Sequence, residues 1–342
     1  MTEPQDARAV TYGSLPPTAY AGLAVGLALF TLLIGYQGVR DVGRALAGAG
    51  PGLLVVAAFH LVPMVGNALG WRALLEARRR PSLAGMLRAR WIGESVNGLL
   101  PVLQVGGNVV KAQLVAARGV DAPTAAASVV VDVMLMVGSQ VAFTLLGAAL
   151  LMVVTGGGEL LGSALVGAAV MGLLVGGFYA AQRRNMFGGL ARRIGGLVGA
   201  RAGGQLTASG SAIDGAVRAL YRRPSAVATG AAWHLVSWIV GAGEVWLALY
   251  FLGHPVDLVQ AVLLESLGQA VRTAGFLVPG ALGVQEGGYL VLGTALGLAP
   301  DTAIALSLAK RVREVVLGVP GLIVWQAEAA TTLLRPGRGG RS

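Results

Sequence analysis

Long apolar stretches are the feature of this sequence that most limits what the chain can fold into. A helix needs about 20 predominantly apolar residues to cross the hydrocarbon core of a membrane. Stretches of this kind occur at about 19–36, 51–71, 123–154, 160–181, 226–252 and 303–327. The sequence therefore predicts an all-α integral membrane protein with about six transmembrane helices.

The composition agrees with a membrane location and excludes several other classes of protein. Hydrophobic residues make up 55% of the 342 residues and charged residues only 12%, against about 25% in an average soluble domain. So few charges could not cover the surface of a soluble enzyme, and so hydrophobic a chain does not stay disordered. Cysteine is absent, which excludes a disulfide scaffold, thiolate catalysis and cysteine-bound metal.

Two further stretches, Leu83–Arg118 (hairpin one) and Val256–Leu298 (hairpin two), are not simple spans. Proline and glycine divide each of them into two short apolar pieces. Broken helices survive at membrane depth only where protein or a wet cavity surrounds the freed backbone groups. We interpret both as broken helical hairpins that re-enter or cross twice, so that the chain leaves on the side from which it entered.

The arginines give this arrangement an orientation. Eighteen of the 26 basic residues fall on one side of the membrane, in the stretches 1–17, 72–90, 183–223 and 329–342. The positive-inside rule makes that side cytoplasmic. We expect one polytopic domain, 18–328, between two cytoplasmic tails. The net charge of +10 then reflects topology and anionic lipid headgroups, so we expect no nucleic-acid partner.

The longest polar stretch, 182–225, separates the two halves of the membrane domain on the cytoplasmic side. Within it, Phe187 and Leu190 recur at helical spacing, while Arg192 and Arg193 lie off that face. This pattern is typical of an amphipathic helix in the membrane interface. A plain linker is the alternative.

The two hairpins align under a shift of 178 residues, which brings Pro101 onto Pro279 and Gly119 onto Gly297. An odd number of spans, three, separates the copies, so the second copy would be inverted relative to the first. Inverted repeats with broken helices near the midplane are the layout of many transporters, with the substrate site at the repeat interface. Chance agreement in an alanine-rich and leucine-rich sequence is the alternative.

Ionisable residues inside apolar segments are costly and are therefore candidates for function. We predict a substrate site formed by nine polar residues: Glu94, Asn108, Lys111, Asp132, Glu265, Arg272, Glu286, Lys310 and Arg311. The repeat also places Lys310 opposite Asp132, which raises the hypothesis of a charge pair between the halves. Glu244 and His234 stand alone on one span, and we interpret them as local hydrogen-bonding groups between helices.

The breaks in the hairpins predict an anion site. A half-helix that begins after the turn would point its positive N-terminal end into the membrane beside Arg272, where it suits a lipid phosphate or another anion. The stretch around Asn108 can do the same in hairpin one. We assign the shaping of the breaks to six residues: Pro101, Gly106, Gly107, Pro279, Gly280 and Gly283.

The motifs resemble those of a known family. The segment Pro101-Val-Leu-Gln-Val-Gly-Gly-Asn-Val-Val-Lys111, with Asp132 after it, resembles the first signature of the lysylphosphatidylglycerol synthase transmembrane-region family of flippase-like membrane proteins. The segment Pro279-Gly-Ala-Leu-Gly-Val-Gln-Glu286 looks like its second signature, and the basic residues Lys310 and Arg311 continue that signature. The form of both motifs is most similar to the hopanoid-associated branch.

The resemblance implies translocation or trafficking of a polar-headed lipid, a hopanoid or a phospholipid. In this hypothesis Arg272, Lys310 and Arg311 bind the headgroup, and the acidic residues pair with them or carry protons. We expect no enzyme, no cofactor and no metal, because nucleotide-binding, zinc-protease and serine-hydrolase motifs are absent from the sequence. The alternatives are an assembly partner for lipid-biosynthesis or lipid-export proteins, and a proton-coupled transporter of a small anion.

Overall fold

A computed structural model of the chain describes residues 47–100, 105–155, 159–195, 200–275, 278 and 281–333. This described part contains twelve α-helices and no strand. The predicted all-α class is confirmed. The predicted span at 19–36 and the tail at 1–17 lie outside the described residues, as do Pro101, Pro279 and Gly280.

The helices follow one another with short connections. In chain order they are α1 (Gly52–Phe59), α2 (Leu61–Leu74), α3 (Leu83–Leu99), α4 (Gly106–Ala116), α5 (Ala122–Thr155), α6 (Glu159–Arg183), α7 (Met186–Gly195), α8 (Ala200–Tyr221), α9 (Pro224–Phe251), α10 (Leu258–Ala274), α11 (Val284–Ala295) and α12 (Pro300–Leu333).

Three helical segments in the described ranges are long and apolar enough to cross a membrane: Gly52–Leu74, Ala122–Val154 and Pro224–Phe251. They coincide with three of the predicted spans. Helices α6 and α12 cover two more, with charged residues in the middle of α12. The first segment bends at His60 between α1 and α2, because Pro63 has no N–H to donate to the carbonyl of Phe59.

Each predicted hairpin consists of two short helices, α3 with α4 and α10 with α11. The Ser82 hydroxyl caps α3 by accepting from Gly85 N at 3.1 Å, and Asp257 caps α10 by accepting from Gln260 N at 2.8 Å. Gly283 immediately precedes α11 as its N-cap residue, and its φ of +77° is a conformation that favours glycine. The sequence therefore located both hairpins correctly.

The packing of the helices is reciprocal between the two halves. Helix α3 of the first half packs against α12 of the second, and α10 of the second half packs against α5 of the first. Helices α2 and α9, which precede the two hairpins, pack against each other. This exchange of partners is the arrangement expected of two intertwined copies, and it supports the predicted repeat.

The described residues form two large apolar cores and a smaller cluster that joins α3 and α4 to α12. The first, from α2, α3, α4, α5 and α8, includes Trp71 and Met86. The second lies mainly among α9, α10, α11 and α12 and includes Leu249 and Tyr289. The charged side chains of the hairpins and of α12 are thereby left for the space between the cores.

The stretch 182–225 is largely helical in its described residues, which form α7 and α8. The Asp214 carboxylate on α8 accepts from the backbone N–H of Phe187 and of Gly188, at 3.1 and 2.7 Å, and so caps α7. Phe187 packs against the first core, while Leu190 stays exposed. The location of α7 in the membrane interface stays a prediction.

Candidate functional site

A cavity of about 430 Å³ lies between the two halves. Seven helices contribute to its wall: α2, α3, α4, α5, α9, α10 and α12. Its polar lining includes His60, Arg90, Glu94, Asn108, Lys111, Glu244, Glu265, Arg272, Arg313 and Glu314. Its apolar lining includes Met64, Trp91, Leu99, Met136, Trp238 and Leu317. The volume is within the range of pockets that hold a small ligand.

Next to hairpin one, the wall contains and adjoins a buried group that we call the Asp132 cluster: Arg90, Lys111, Asp132 and His234. The Arg90 guanidinium donates to both oxygens of the Asp132 carboxylate, at 3.1 and 2.8 Å. His234 Nε2 lies 3.0 Å from the same carboxylate and Lys111 Nζ lies 3.9 Å away. Such close pairing is what allows a carboxylate to be fully buried.

The second half has a counterpart, the Lys310 cluster: Glu244, Glu265, Tyr289 and Lys310. Lys310 Nζ donates to Glu265 Oε2 at 2.5 Å and lies 3.9 Å from Glu244 Oε1. The Tyr289 hydroxyl donates to the Glu265 carboxylate at 3.3 Å, and its ring lies 5.7 Å below the lysine nitrogen. The hypothesis of a pair between Asp132 and Lys310 is wrong, because each is neutralised within its own cluster.

The predicted anion site at the start of α11 is also wrong, because the chain fills it with its own carboxylate. Glu286 accepts from Gly283 N at 2.7 Å and from Arg311 Nε at 3.0 Å. It therefore caps the helix end that was expected to bind a lipid phosphate. In hairpin one, the Asn97 amide oxygen accepts from Gly107 N at 2.8 Å and plays the same part.

Residues of α12 and α10 continue the charged surface along the cavity. The Arg272 guanidinium lies 2.6 Å from Glu314 Oε1, and it also donates to Gln285 Oε1 at 2.9 Å. Arg311 and Arg313 each pair with the same Glu314 carboxylate, at 3.2 and 3.3 Å. Arg272 keeps 20% of its side chain exposed, so it is accessible to a ligand while remaining paired.

The structure brings all nine predicted site residues into one region. Five of them line the cavity directly: Glu94, Asn108, Lys111, Glu265 and Arg272. The other four, Asp132, Glu286, Lys310 and Arg311, support the wall through ion pairs with its residues or with neighbouring groups. Gly106, Gly107 and Gly283 lie at the starts of the half-helices, as predicted. Their functional roles stay predictions.

The predicted site leaves out five titratable residues that line the cavity: His60, Arg90, Glu244, Arg313 and Glu314. Arg90 was assigned to the cytoplasmic arginines, but its side chain is 1% exposed because Asp132 binds it. Glu244 was taken as an isolated hydrogen-bonding group, whereas it pairs with Arg313 at 3.1 Å. Only the signal of an ionisable residue inside an apolar span could have indicated these positions.

The charges of the site balance. Six cations, Arg90, Lys111, Arg272, Lys310, Arg311 and Arg313, face six anions, Glu94, Asp132, Glu244, Glu265, Glu286 and Glu314. A ligand that enters must therefore exchange with an internal partner rather than meet a bare charge. Within the described ranges, no group of three His, Asp or Glu side chains is arranged to hold a metal ion.

Comparison with known families agrees with this architecture. A family model described as the lysylphosphatidylglycerol synthase TM region matches residues 21–321 and so spans both hairpins. The chain belongs to this family. No curated protein and no solved structure matches the chain. Membership in the lysylphosphatidylglycerol synthase TM family identifies a membrane protein involved in lipid biology.

Proposed function

We propose that this member of the lysylphosphatidylglycerol synthase TM family translocates or hands over a polar-headed lipid at the bacterial inner membrane. The observation that carries the proposal is the mixed wall of the cavity between the repeats. Charged groups such as Arg272 and Glu94 share that wall with apolar side chains such as Trp91, Met136 and Leu317. An amphipathic molecule needs both kinds of surface, whereas a small anion needs only the first.

The lipid headgroup would bind by exchanging with an internal ion pair. Arg272 is the best placed cation for this exchange because it is partly exposed, whereas Lys111 and Lys310 are buried. A phosphate or hydroxyl of the headgroup would replace Glu314 as the partner of Arg272. The apolar part of the lipid would stay against the apolar wall and the surrounding bilayer.

Reconstitution into liposomes tests this proposal. The purified chain is placed in vesicles with a fluorescent phospholipid or a labelled hopanoid, and the transbilayer movement of each probe is measured by quenching from outside. We expect the chain to accelerate at least one of the two probes. No acceleration for either lipid would refute the proposal.

A pair of matched arginine variants separates a role in the cavity from a general loss of positive charge. We expect Arg272→Gln to slow the movement of the lipid about tenfold or more, the factor that corresponds to one charge-assisted hydrogen bond. Arg192→Gln, on the exposed face of α7, is expected to retain the rate. The reverse pattern would favour an assembly partner that acts through its cytoplasmic surface.

Both termini are proposed to lie in the cytoplasm. The support is the arginines of α7 and α8 together with those of the 72–88 stretch, since cytoplasmic loops carry an excess of Lys and Arg. Reporter fusions at residues 1 and 342 test this orientation, and a periplasmic signal from either fusion would contradict it.

A further inference from the structure

We propose that His60 is a proton-binding site that couples protonation to the packing of the two halves around the cavity. The inference rests on the proposed function, because it supplies a coupling ion for the same transport site. His60 is the one of the chain's three histidines that lines this cavity. Its side chain is 24% exposed there, so protons can reach it from water in the cavity.

The geometry around one ring nitrogen carries the proposal. His60 Nδ1 lies 2.8 Å from Glu244 Oε2 and 2.7 Å from Arg313 Nη1. An imidazole nitrogen either bears a proton and donates, or offers a lone pair and accepts. Nδ1 can therefore bind Glu244 or accept from Arg313, but it cannot do both at once. Arg313 Nη1 also lies 3.4 Å from Nε2, so a neutral ring can accept from Arg313 at whichever nitrogen lacks a proton. A protonated ring has no lone pair and cannot accept from Arg313 at either nitrogen.

The two partners connect different parts of the molecule. His60 lies at the bend between α1 and α2 in the first half, while Arg313 lies on α12 in the second half. With a neutral ring, Arg313 donates to the ring nitrogen that lacks a proton and ties α12 to the junction of α1 and α2. With a protonated ring, Nδ1 donates to Glu244 and the positive ring repels Arg313, so the tie is lost.

The remaining charges that face His60 support this dependence. On α3, Glu94 Oε2 lies 4.0 Å from His60 Nε2 and also pairs with Arg90. On α9, Glu244 is shared with Arg313 and with Lys310 of α12. The neighbouring carboxylates, which include Glu314 on α12, therefore already have cationic partners.

One further charged residue near α2 has partners of its own. It is Asp132 on α5, a helix that also packs against α2. Its carboxylate is paired with Arg90 and His234. Because the twelve charged residues of the site balance, a proton on His60 makes the site positive by one charge.

Cysteine labelling tests the inference without any assay of transport. The chain has no cysteine, so Val137→Cys places a single thiol on the cavity wall. Its rate of reaction with a water-soluble maleimide is measured from pH 5.5 to pH 7.5 and divided by the rate at Ser225→Cys, an exposed position. The division removes the effect of pH on the thiol itself.

We expect the relative labelling rate at residue 137 to rise at acidic pH, by up to about tenfold for the loss of one charge-assisted hydrogen bond. In His60→Gln the relative labelling rate at residue 137 should not depend on pH, because glutamine forms hydrogen bonds without becoming charged. His254→Gln, away from this cavity, should keep the behaviour of the wild type. A flat wild-type profile, or an unchanged profile in His60→Gln, would overturn the inference.

The liposome assay, repeated across the same pH range, separates this inference from the proposed function. If labelling depends on His60 but no lipid moves, the proton site stands and the proposed function fails. If lipid moves at a rate that is the same at every pH in wild type and in His60→Gln, the proposed function stands and proton coupling fails.

Discussion

The close contact between the two helices of hairpin one gives a sharp test of the fold. A Cβ added at Gly107 would lie 2.7 Å from the amide carbon and oxygen of Asn97, and closer still to the carbonyl oxygen of Gly93. The carbonyl belongs to a helix backbone and cannot rotate away. We therefore expect Gly107→Ala to push α4 away from α3.

The size of the effect follows from three terms. Overpacking costs about 1–3 kcal/mol, and disturbance of the bond from Gly107 N to Asn97 Oδ1 costs about 1 kcal/mol. The higher helix propensity of alanine returns about 1 kcal/mol. The net destabilisation is about 1–3 kcal/mol, which corresponds to about 2–4 °C for each kcal/mol in a domain of 150–250 residues.

Thermal unfolding in detergent micelles measures this difference, with Gly98→Ala as the matched control. Gly98 lies in the same hairpin, but no atom lies within 4 Å of a Cβ placed there. We expect the control to unfold at the same temperature as the wild type or slightly higher. Equal midpoints for the two variants would refute the close approach of α3 and α4.

The remaining predictions concern charge and backbone conformation, and the same unfolding assay measures them. Asp132→Asn removes the buried counter-charge of Arg90, which keeps only the partly exposed Glu94, and should cost about 3–5 kcal/mol. Adding Arg90→Gln should restore part of that loss, and additive losses would contradict the pairing. Gly283→Ala, at φ +77°, should cost about 1–2 kcal/mol, and no loss would contradict that turn. Arg88→Gln breaks a partly exposed ion pair with Glu328 and should cost less than about 1 kcal/mol. A loss of stability as large as that of Asp132→Asn would contradict the exposed position of the Arg88 pair.

The helical elements could be predicted because their signals are local. The apolar segments 51–71, 123–154 and 226–252 exceed the length of a bilayer core, and no partner is needed to recognise them. The breaks within hairpins one and two are likewise signalled by glycine and proline next to one another in the sequence. The helices observed at 52–74, 122–155 and 224–251 accordingly agree with prediction within a few residues.

The partners of the charged residues could not be predicted because they are distant in sequence. Arg90 and Asp132 are 42 residues apart, and His60 and Arg313 are 253 apart. A count of arginines near the ends of spans therefore placed Arg90 in the cytoplasm, although it is buried. Likewise, Glu286 pairs with Arg311, which is 25 residues further along the chain, and no local pattern indicates that pair.

By itself, the sequence determined the class of protein, the positions of its described helices and the region that contains its polar site. These depend on hydrophobicity and backbone preference, which act over neighbouring residues. Only the tertiary structure decided which charge neutralises which, since a buried ion pair forms where two helices happen to meet. The tertiary structure thereby paired the buried charges around a cavity with polar and apolar walls. It also placed Nδ1 of His60 between Glu244 and Arg313, which this one nitrogen cannot bind at the same time.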